Sequence, residues 1–550
     1  MNNGTQYTQN PYPNGGYPPQ NAAPGYAPPV YASAPYPVQP VCPAKPKREY
    51  GFAQKLFAIA VVWFGYLYMR VFCFEAGHIG KTVFVLLLLL VSAGYMAHCG
   101  AKPGGASVAA GILTGIFALG FAFGLTGGLQ FLLTVVCQLC YTYFVYKAFD
   151  TSIERGPGRF FDFDMLKAVF TAPFSSFGSV FPAMFSTSGD KNKRVSKKLG
   201  MILLGLLLSI IPTGIVVALL SYDSSFTSLL DKVMGIDLLE GSLLSHFIAL
   251  LLGLPVAMYI YGLWTSCLYG VGGRMDAERC ARSREKSRVL PQIMAFAAVT
   301  PILFVYLLFF ISQFRYYTAA FTGVLPEGYS YAEYARSGFF ELCGVMVINS
   351  ILVFLLFLLV KTGGRNGIAR LYTALISLST LILAATAVSK MALYVRECGL
   401  TVRRAYTLWF MLTVALVFLV LLVKTLIPKT PFVPLALVAV LGMFCTLALS
   451  NAPARISNYN TECILAGESW ELDESYFYQL GNAAVPDAVR LEKAENISGE
   501  TRRNAAHFLD YYENYAPGSK NEPRFSEYSL AYIRAEQAIR TRERFSGADD

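Results

Sequence analysis

Long apolar runs recur along the chain from about residue 56 to residue 450, and they constrain the fold more than any other feature of the sequence. About 20 helical residues are needed to cross roughly 30 Å of hydrocarbon. Only a helix satisfies all of its backbone hydrogen-bonding groups within a single span. The runs therefore predict an all-α fold, a polytopic transmembrane helix bundle.

We place about eleven spans, each long enough to cross a bilayer. They lie at residues 56–74, 79–98, 106–124, 128–147, 199–221, 244–268, 289–312, 340–361, 368–390, 405–426 and 431–450. Charged residues make up only 15% of the chain, against about 25% in an average soluble protein. This low share argues against an ordinary soluble protein.

The composition divides the chain into three parts. Residues 1–48 are rich in proline and tyrosine and cannot bury a core, so we expect a disordered tail. The functional alternative is a tail that associates with itself or binds a proline-recognising partner. Residues 49–450 hold the transmembrane bundle, and residues 451–550 form a soluble helical region. Within that region we predict helices at 472–480, 499–515 and 526–544.

Residues 148–198 interrupt the series of spans, and we interpret them as an interfacial segment. Phenylalanine recurs through 160–185, where Pro173 and Pro182 break any continuous helix. We expect short pieces that lie in the inner interface, with aromatic rings at the level of the lipid headgroups.

Basic residues in the loops indicate the orientation, because cytoplasmic loops carry an excess of lysine and arginine. These residues are concentrated in four stretches: 45–55, 147–198, 270–288 and 361–370. If successive spans cross the membrane in alternating directions, all four stretches lie on the same side. The opposite loop 222–243 is acidic. We therefore predict a cytoplasmic N-terminus and an outer location for residues 451–550. The loop 391–404 disagrees, because its three arginines would lie outside.

Five stretches carry a resemblance to a known family. They are RVSKKLGMILLGLLLSIIP at 194–212, LPEGYSYAEYARSGFFELCGVMVIN at 325–349, YVRECGLTVRRAYTLWFM at 394–411, SNYN at 457–460 and RFSEYSLAYIRA at 524–535. These stretches resemble a family of bacterial polytopic membrane proteins, the domains of unknown function of the four-one-five-three and four-one-seven-three group. The resemblance implies a multi-pass protein of a bacterial cell membrane, and it implies no activity.

The stretch 326–349 has the clearest local pattern. Ser330 and Glu333 fit the capping box S-x-x-E, which predicts a helix that begins near Tyr331. A carboxylate such as Glu341, at the edge of the apolar run, is costly unless it is paired, solvated or protonated.

We predict that the polar residues of this helix face a polar cavity. They are Glu333, Arg336, Glu341 and Asn349. The alternative is that Glu341 forms a structural ion pair with Arg315 or Arg396 from neighbouring loops.

Three successive spans carry a proline near the middle, namely Pro212, Pro255 and Pro301. A proline inside a helix frees a carbonyl group and bends the helix. These kinks are candidates to open the predicted cavity, and the alternative is that proline is simply common in membrane helices.

The third span contains two glycine pairs spaced four residues apart, Gly111 with Gly115 and Gly120 with Gly124. Small residues one turn apart allow helix backbones to approach closely. We therefore expect this helix to be central in the bundle.

The sequence offers no reliable catalytic or metal signature, and we predict no cofactor and no metal. Cys137 and Cys140 form a C-x-x-C inside an apolar run, which indicates membrane-buried thiols rather than a zinc or redox site. The net charge of +10 comes largely from loops between spans, so no nucleic-acid partner is predicted. The expected partners are membrane lipids, with a protein partner for the tail or for the C-terminal region as a further candidate.

The function classes that remain are open at the level of sequence. A signalling or cell-envelope component is slightly favoured, because few charges are buried in the bundle and extramembrane parts lie at both ends. A transporter or flippase of a small or lipidic substrate is the alternative, and an intramembrane transferase is the second alternative. Enzymatic activity is disfavoured because no nucleophile lies at helical spacing from a base.

Overall fold

The computed structural model describes most of the chain after residue 49. The described residues are 50–74, 77–125, 127–149, 151–185, 205, 209, 216, 220, 223, 243–271, 273, 276–322, 339–361, 366–468, 470–515 and 528–546. The predicted tail at 1–48 lies outside these residues, as does the predicted span at 199–221 apart from four single positions.

The described residues are helical, so the predicted all-α fold is confirmed. The helices of the bundle are α1 (Phe52–Tyr68, continued by a π-turn to Phe74), α2 (Ile79–His98), α3 (Gly105–Phe121), α4 (Gly127–Ala148), α5 (Phe161–Leu166), α6 (Ala172–Ser175), α7 (Val180–Phe185), α8 (Leu243–Tyr269), α9 (Ala277–Ser287), α10 (Gln292–Thr322), α11 (Phe339–Leu359), α12 (Asn366–Cys398), α13 (Val402–Leu426) and α14 (Phe432–Leu449). Outside these helices, one isolated β-bridge joins Leu290 to Val360.

The C-terminal region adds five more helices. They are α15 (Ala452–Leu465), α16 (Glu474–Leu480), α17 (Val485–Lys493), α18 (Gly499–Tyr515) and α19 (Leu530–Ser546). The predicted helices at 472–480, 499–515 and 526–544 correspond to α16, α18 and α19.

Nine of the described helices are long and apolar enough to cross a membrane. The shorter α3 is also apolar, and in the turn that follows it Gly124 has a φ of 79°, which allows the chain to turn sharply. Two helices continue past their predicted ends: α10 reaches Thr322 rather than residue 312, and α12 reaches Cys398 rather than residue 390. The added last turn of α12 carries Arg396 and Glu397, which are exposed.

A first group of helices packs around α8. Gly65 of α1 and Gly253 of α8 face each other so closely that a Cβ on either would collide with the backbone of the other. Trp264 of α8 is 1% exposed and contacts the rings of Phe57 and Tyr95. Small residues therefore set the close approach of α1 and α8, and large aromatic residues fill the space beside it.

Two of the four glycines singled out in the third span, Gly111 and Gly120, pack closely against neighbouring helices, whereas Gly115 has only an ordinary contact with Leu89. A Cβ on Gly111 would lie 3.1 Å from the ring of Phe144, and one on Gly120 would lie 3.1 Å from the Cβ of Ala448. Helix α3 is thus held between α2, α4 and α14. Helix α14 also packs on α13, so it joins the first group to a second group formed by α10 to α13.

The segment α5 to α7 is broken by a bend of 47°. Its contacts with α8 run from Val169 on Tyr259 to Ser179 on Thr265. Six residues of helix rise only about 9 Å, so this part of the segment contacts one end of the bundle. The bend falls at Ser176, and the helical pieces continue through Pro173 and Pro182, so the prediction that these prolines break the helix was wrong. The interfacial location stays a prediction.

The C-terminal helices have a core of their own, in which Phe477, Leu491 and Leu509 are fully buried. Leu400 and Val402, in the connection from α12 to α13, pack against this core. The helices α15 to α19, which we call the C-terminal domain, therefore lie on one end of the bundle. We call that end the C-terminal side and the opposite end, where α1 begins, the N-terminal side.

Candidate functional site

A polar pocket of about 750 Å³ lies between the bundle and the C-terminal domain. Its lining comes from the ends of α3 and α14, from α15, from the start of α17 and from α19. We call it the domain–bundle pocket. Its polar side chains are Asn451, Arg455, Asn458, Tyr459, Glu462, Asn482, Asp487 and Arg534.

The turn from α14 into α15 creates one wall of this pocket. Asn451 has φ 49° and ψ 50°, a left-handed conformation that asparagine tolerates better than most residues. Pro453 then occupies the first turn of α15, where a missing N–H costs nothing. The Oδ1 atom of Asn451 is buried without a hydrogen-bond partner among the described residues. The turn therefore holds an unsatisfied acceptor at the pocket.

One face of helix α15 lines the pocket, and the opposite face packs against the core of the C-terminal domain. Arg455, Asn458, Tyr459 and Glu462 line the pocket at spacings of three and four residues. On the other face, Asn460 is 1% exposed and donates hydrogen bonds to the carbonyl of Leu400 (2.7 Å) and to the Tyr476 hydroxyl (2.9 Å). These hydrogen bonds of Asn460 hold α15 against the connection between α12 and α13.

Helix α19 forms the opposite wall and is anchored to the bundle. The Leu530 amide donates to the carbonyl of Ala122 at 2.9 Å, and the Ile79 amide donates to the carbonyl of Tyr528 at 3.1 Å. These two backbone bonds join α19 to the ends of α2 and α3. They place Ala531 and Arg534 over the pocket.

The pocket is unevenly charged. Arg490 binds both acidic groups, at 2.7 Å to Glu462 and 3.1 Å to Asp487. Burial raises the pKa of Asp487 above its ordinary value of 3.8, and the hydrogen bond and charge of Arg490 oppose this shift. Arg455 and Arg534 are exposed and form no ion pair with any described residue. The single charge of Arg490 offsets one of the two negative charges, so together with Arg455 and Arg534 the three arginines and two acids carry a net charge of +1. Two of the arginines stay outside any ion pair with the described residues and are available to a ligand.

The residues predicted as a site from sequence lie elsewhere, in the second helix group. Glu333 and Arg336 are outside the described residues. Glu341 is exposed in the first turn of α11, and its charge acts on Lys390 of α12. This lysine was not among the predicted partners, and the cavity itself stays a prediction.

Asn349 is fully buried and joins three helices. It accepts a hydrogen bond from the Tyr306 hydroxyl at 2.6 Å and donates one to the Thr380 hydroxyl at 2.9 Å. These bonds connect α11 to α10 and α12. Within the described structure, Asn349 therefore acts as an interhelical contact.

The predicted kink positions fall in three different settings. Pro212 lies outside the described residues. Pro255 and Pro301 lie inside α8 and α10, which continue through them. Pro255 borders a mostly apolar cavity of about 540 Å³, together with Tyr68, Gln138 and Tyr259.

Cys137 and Cys140 are buried free cysteines, as predicted. No group of three His, Cys, Asp or Glu residues that could hold a metal ion occurs in the part of the chain that is described.

Reasoning from sequence missed the domain–bundle pocket, because its residues come from distant segments. Two patterns pointed toward it. Asn451 and Pro453 directly follow an apolar run, and the stretches SNYN and RFSEYSLAYIRA both supply lining residues.

The fold and this pocket define a class, that of multi-pass helical membrane proteins with an extramembrane domain packed on one end of the bundle. A family model described as a domain of unknown function (DUF4153) matches residues 106–491. The chain therefore belongs to this family. No curated protein and no solved structure matches the chain.

Proposed function

We propose that this protein is a cell-envelope component of a bacterial cytoplasmic membrane that binds an anionic ligand at its outer face. The observation that carries the proposal is the domain–bundle pocket, where Arg455 and Arg534 lie beside two acids that share the single charge of Arg490, so that positive charge is in excess. Pockets with a few convergent polar groups are the usual sites of small ligands.

The orientation rests on the distribution of charge. The end of α4 with Lys147, the described residues 151–185 and the basic helix α9 lie on the N-terminal side of the bundle, as cytoplasmic segments do. The C-terminal domain then faces outward. Its net charge is negative, with more Asp and Glu than Lys and Arg in residues 451–550.

One of the three arginines that opposed this orientation has a local explanation. Arg404 donates to the carbonyl groups of Cys398 and Gly399 at the end of α12, and its guanidinium lies 3.9 Å from the centre of the Tyr394 ring. A cation at a helix C-terminus is favourable. Arg404 therefore stabilises the end of α12 and says little about the side of the membrane.

The ligand chemistry follows from the donors in the pocket. Two guanidinium groups favour a carboxylate or a phosphate, which they bind with paired hydrogen bonds. The amides of Asn451, Asn458 and Asn482 add polar contacts for the rest of the ligand.

Transport or flipping of a lipidic substrate is the second candidate. It is favoured by the cavity of about 540 Å³ beside Pro255, which is lined mainly by apolar side chains with Gln138 bonded to Tyr68 at 2.8 Å. Its apolar lining suits an acyl chain better than a polar solute. A transferase has no comparable support among the described residues.

Native mass spectrometry of the full chain, extracted from its own membrane in mild detergent, tests the proposal. The wild type is expected to retain an anionic molecule that the double variant Arg455→Gln/Arg534→Gln has lost. Inorganic phosphate, used as a probe, should raise the melting temperature of the wild type and leave that of the double variant unchanged.

The matched control is Arg503→Gln/Arg540→Gln, which removes two exposed arginines of the same domain outside the pocket. It should behave as the wild type does. Equal retention of ligand and an equal response to phosphate in all three proteins would contradict the proposal.

A further inference from the structure

A third pocket, of about 730 Å³, opens between α11, α12 and α13 on the N-terminal side. Its interior is apolar, with Val353, Phe354 and Phe357 on one wall and Phe418 and Leu421 on the other. From residue 350 to residue 357, helix α11 rises about 10 Å along the groove. This groove is separate from the domain–bundle pocket, which lies at the other end of the bundle.

Two cations stand at its mouth. Arg370 lies in the second turn of α12, and Lys424 lies in the last turn of α13, where its ammonium donates to the Pro428 carbonyl at 2.5 Å. Lys361 and Lys429 are exposed at adjacent chain ends of the same side. The described lining of the groove contains no acidic residue. A negative ligand at the mouth is therefore favoured by charge.

The depth and the lining of the groove specify the rest of the ligand. The exposed fractions of Phe354 and Phe357 are 62% and 58%, so a wall of aromatic rings faces the lipid phase. The hydroxyls of Ser350, Thr373 and Thr425 donate to carbonyls of their own helices, so their protons are not available to a ligand inside the groove. A ligand with a negative head group at the level of Arg370 and Lys424 and an apolar chain inside the groove fits both the charge of the mouth and the apolar lining.

We propose that the groove between α11, α12 and α13 is a binding site for an anionic phospholipid. The phosphate contacts Arg370 and Lys424, and one acyl chain packs between Phe354 and Leu421. The first turns of α12 lie at the mouth, so the positive end of this helix adds to the attraction. The site does not depend on the proposed ligand of the domain–bundle pocket.

Native mass spectrometry of the full chain with added phosphatidylglycerol or phosphatidylcholine tests this site. The wild type should bind phosphatidylglycerol more tightly. In Arg370→Gln/Lys424→Gln this preference should weaken about 10- to 30-fold, because each cation near a membrane phosphate contributes on the order of 1 kcal/mol. Leu421→Trp, which fills the groove and keeps its charges, should also reduce binding of phosphatidylglycerol.

The matched control is Arg279→Gln/Arg282→Gln, which removes two exposed cations of α9 on the same side but outside the groove. It should keep the wild-type preference. Equal binding of the two lipids by the wild type, or an unchanged preference in the Arg370→Gln/Lys424→Gln variant, would overturn the proposal. Displacement of the lipid by glycerol 3-phosphate alone would also overturn it, because the acyl chain would then contribute nothing.

Discussion

Asn349 shows how a single polar residue ties membrane helices together. Its amide is bonded to Tyr306 and Thr380, and no part of the residue is exposed. Asn349→Leu should lower the free energy of unfolding by about 1–2 kcal/mol, because the Tyr306 hydroxyl loses its partner in an apolar setting. Chemical unfolding in detergent measures this loss.

The neighbouring variant Ser350→Ala is the control, since that hydroxyl bonds only within α11, to the carbonyl of Met346. It should stay within about 0.5 kcal/mol of the wild type. A loss in Ser350→Ala as large as that in Asn349→Leu would show that the interhelical bonds contribute little.

His78 gives the docking of the C-terminal domain a dependence on pH. It precedes Ile79, whose amide binds Tyr528, and its Nδ1 is buried without a partner among the described residues. Burial, and to a lesser extent the charge of Lys81, lowers the pKa of His78 from 6.5 to about 4. Between these values the unfolded chain binds the additional proton, so this stabilisation is complete above pH 6.5 and is lost as the pH falls toward 4.

Melting temperatures at pH 7.5 and pH 5 measure the contribution of His78. The wild type should lose stability on acidification by at most about 1.4 kcal/mol per pH unit from this group, and His78→Gln should lose less. His98→Gln serves as the control, because His98 is exposed at the other end of α2. The same acid response in the wild type and in His78→Gln would contradict the assignment.

Sequence patterns anticipated the burial of Cys137 and Cys140 and the close packing of Gly111 and Gly120. These features depend on neighbours within one helix or on the size of one side chain. The partners of Glu341 and Asn349 could not be predicted, because they lie on other helices whose rotations are set by packing. The domain–bundle pocket was missed for the same reason.

At the scale of elements, a buried ion pair fixes the bent segment to the bundle. Lys147 of α4 lies 2.6 Å from Asp164 of α5, and both side chains are 1% exposed. Tyr146 and the backbone amide of Ile153 also donate to Asp164. Asp164→Asn should destabilise the protein by about 3–5 kcal/mol, because it leaves the Lys147 charge buried without a counterion.

The double variant Lys147→Met/Asp164→Leu should recover most of this loss, since it removes both charges together. Thermal unfolding in detergent compares the two. If Asp164→Asn were as stable as the wild type, the pair would not hold the segment.

Helix positions were largely predictable, because hydrocarbon thickness and hydropathy determine where a span lies. The position at which α12 ends could not be predicted in this way. The last turn of this helix carries Arg396 and Glu397, which a hydropathy pattern assigns to a loop, yet the helix continues until Gly399, where φ is 71°. The side chain of Arg404 satisfies the last carbonyl groups, and that contact comes from the next helix.

For the whole molecule, the central claim is that the C-terminal domain and its pocket face outward. Cysteine labelling with a membrane-impermeant maleimide in intact cells tests it most directly. Glu500→Cys places a thiol on the exposed start of α18, and Arg282→Cys places one on α9, where the arginine side chain is 71% exposed. Labelling is measured relative to the parent protein, which has its own cysteines.

We expect Glu500→Cys to be labelled in intact cells and Arg282→Cys to be labelled only after permeabilisation. The opposite pattern, with residue 282 labelled in intact cells and residue 500 protected, would contradict both the orientation and an outward-facing ligand pocket.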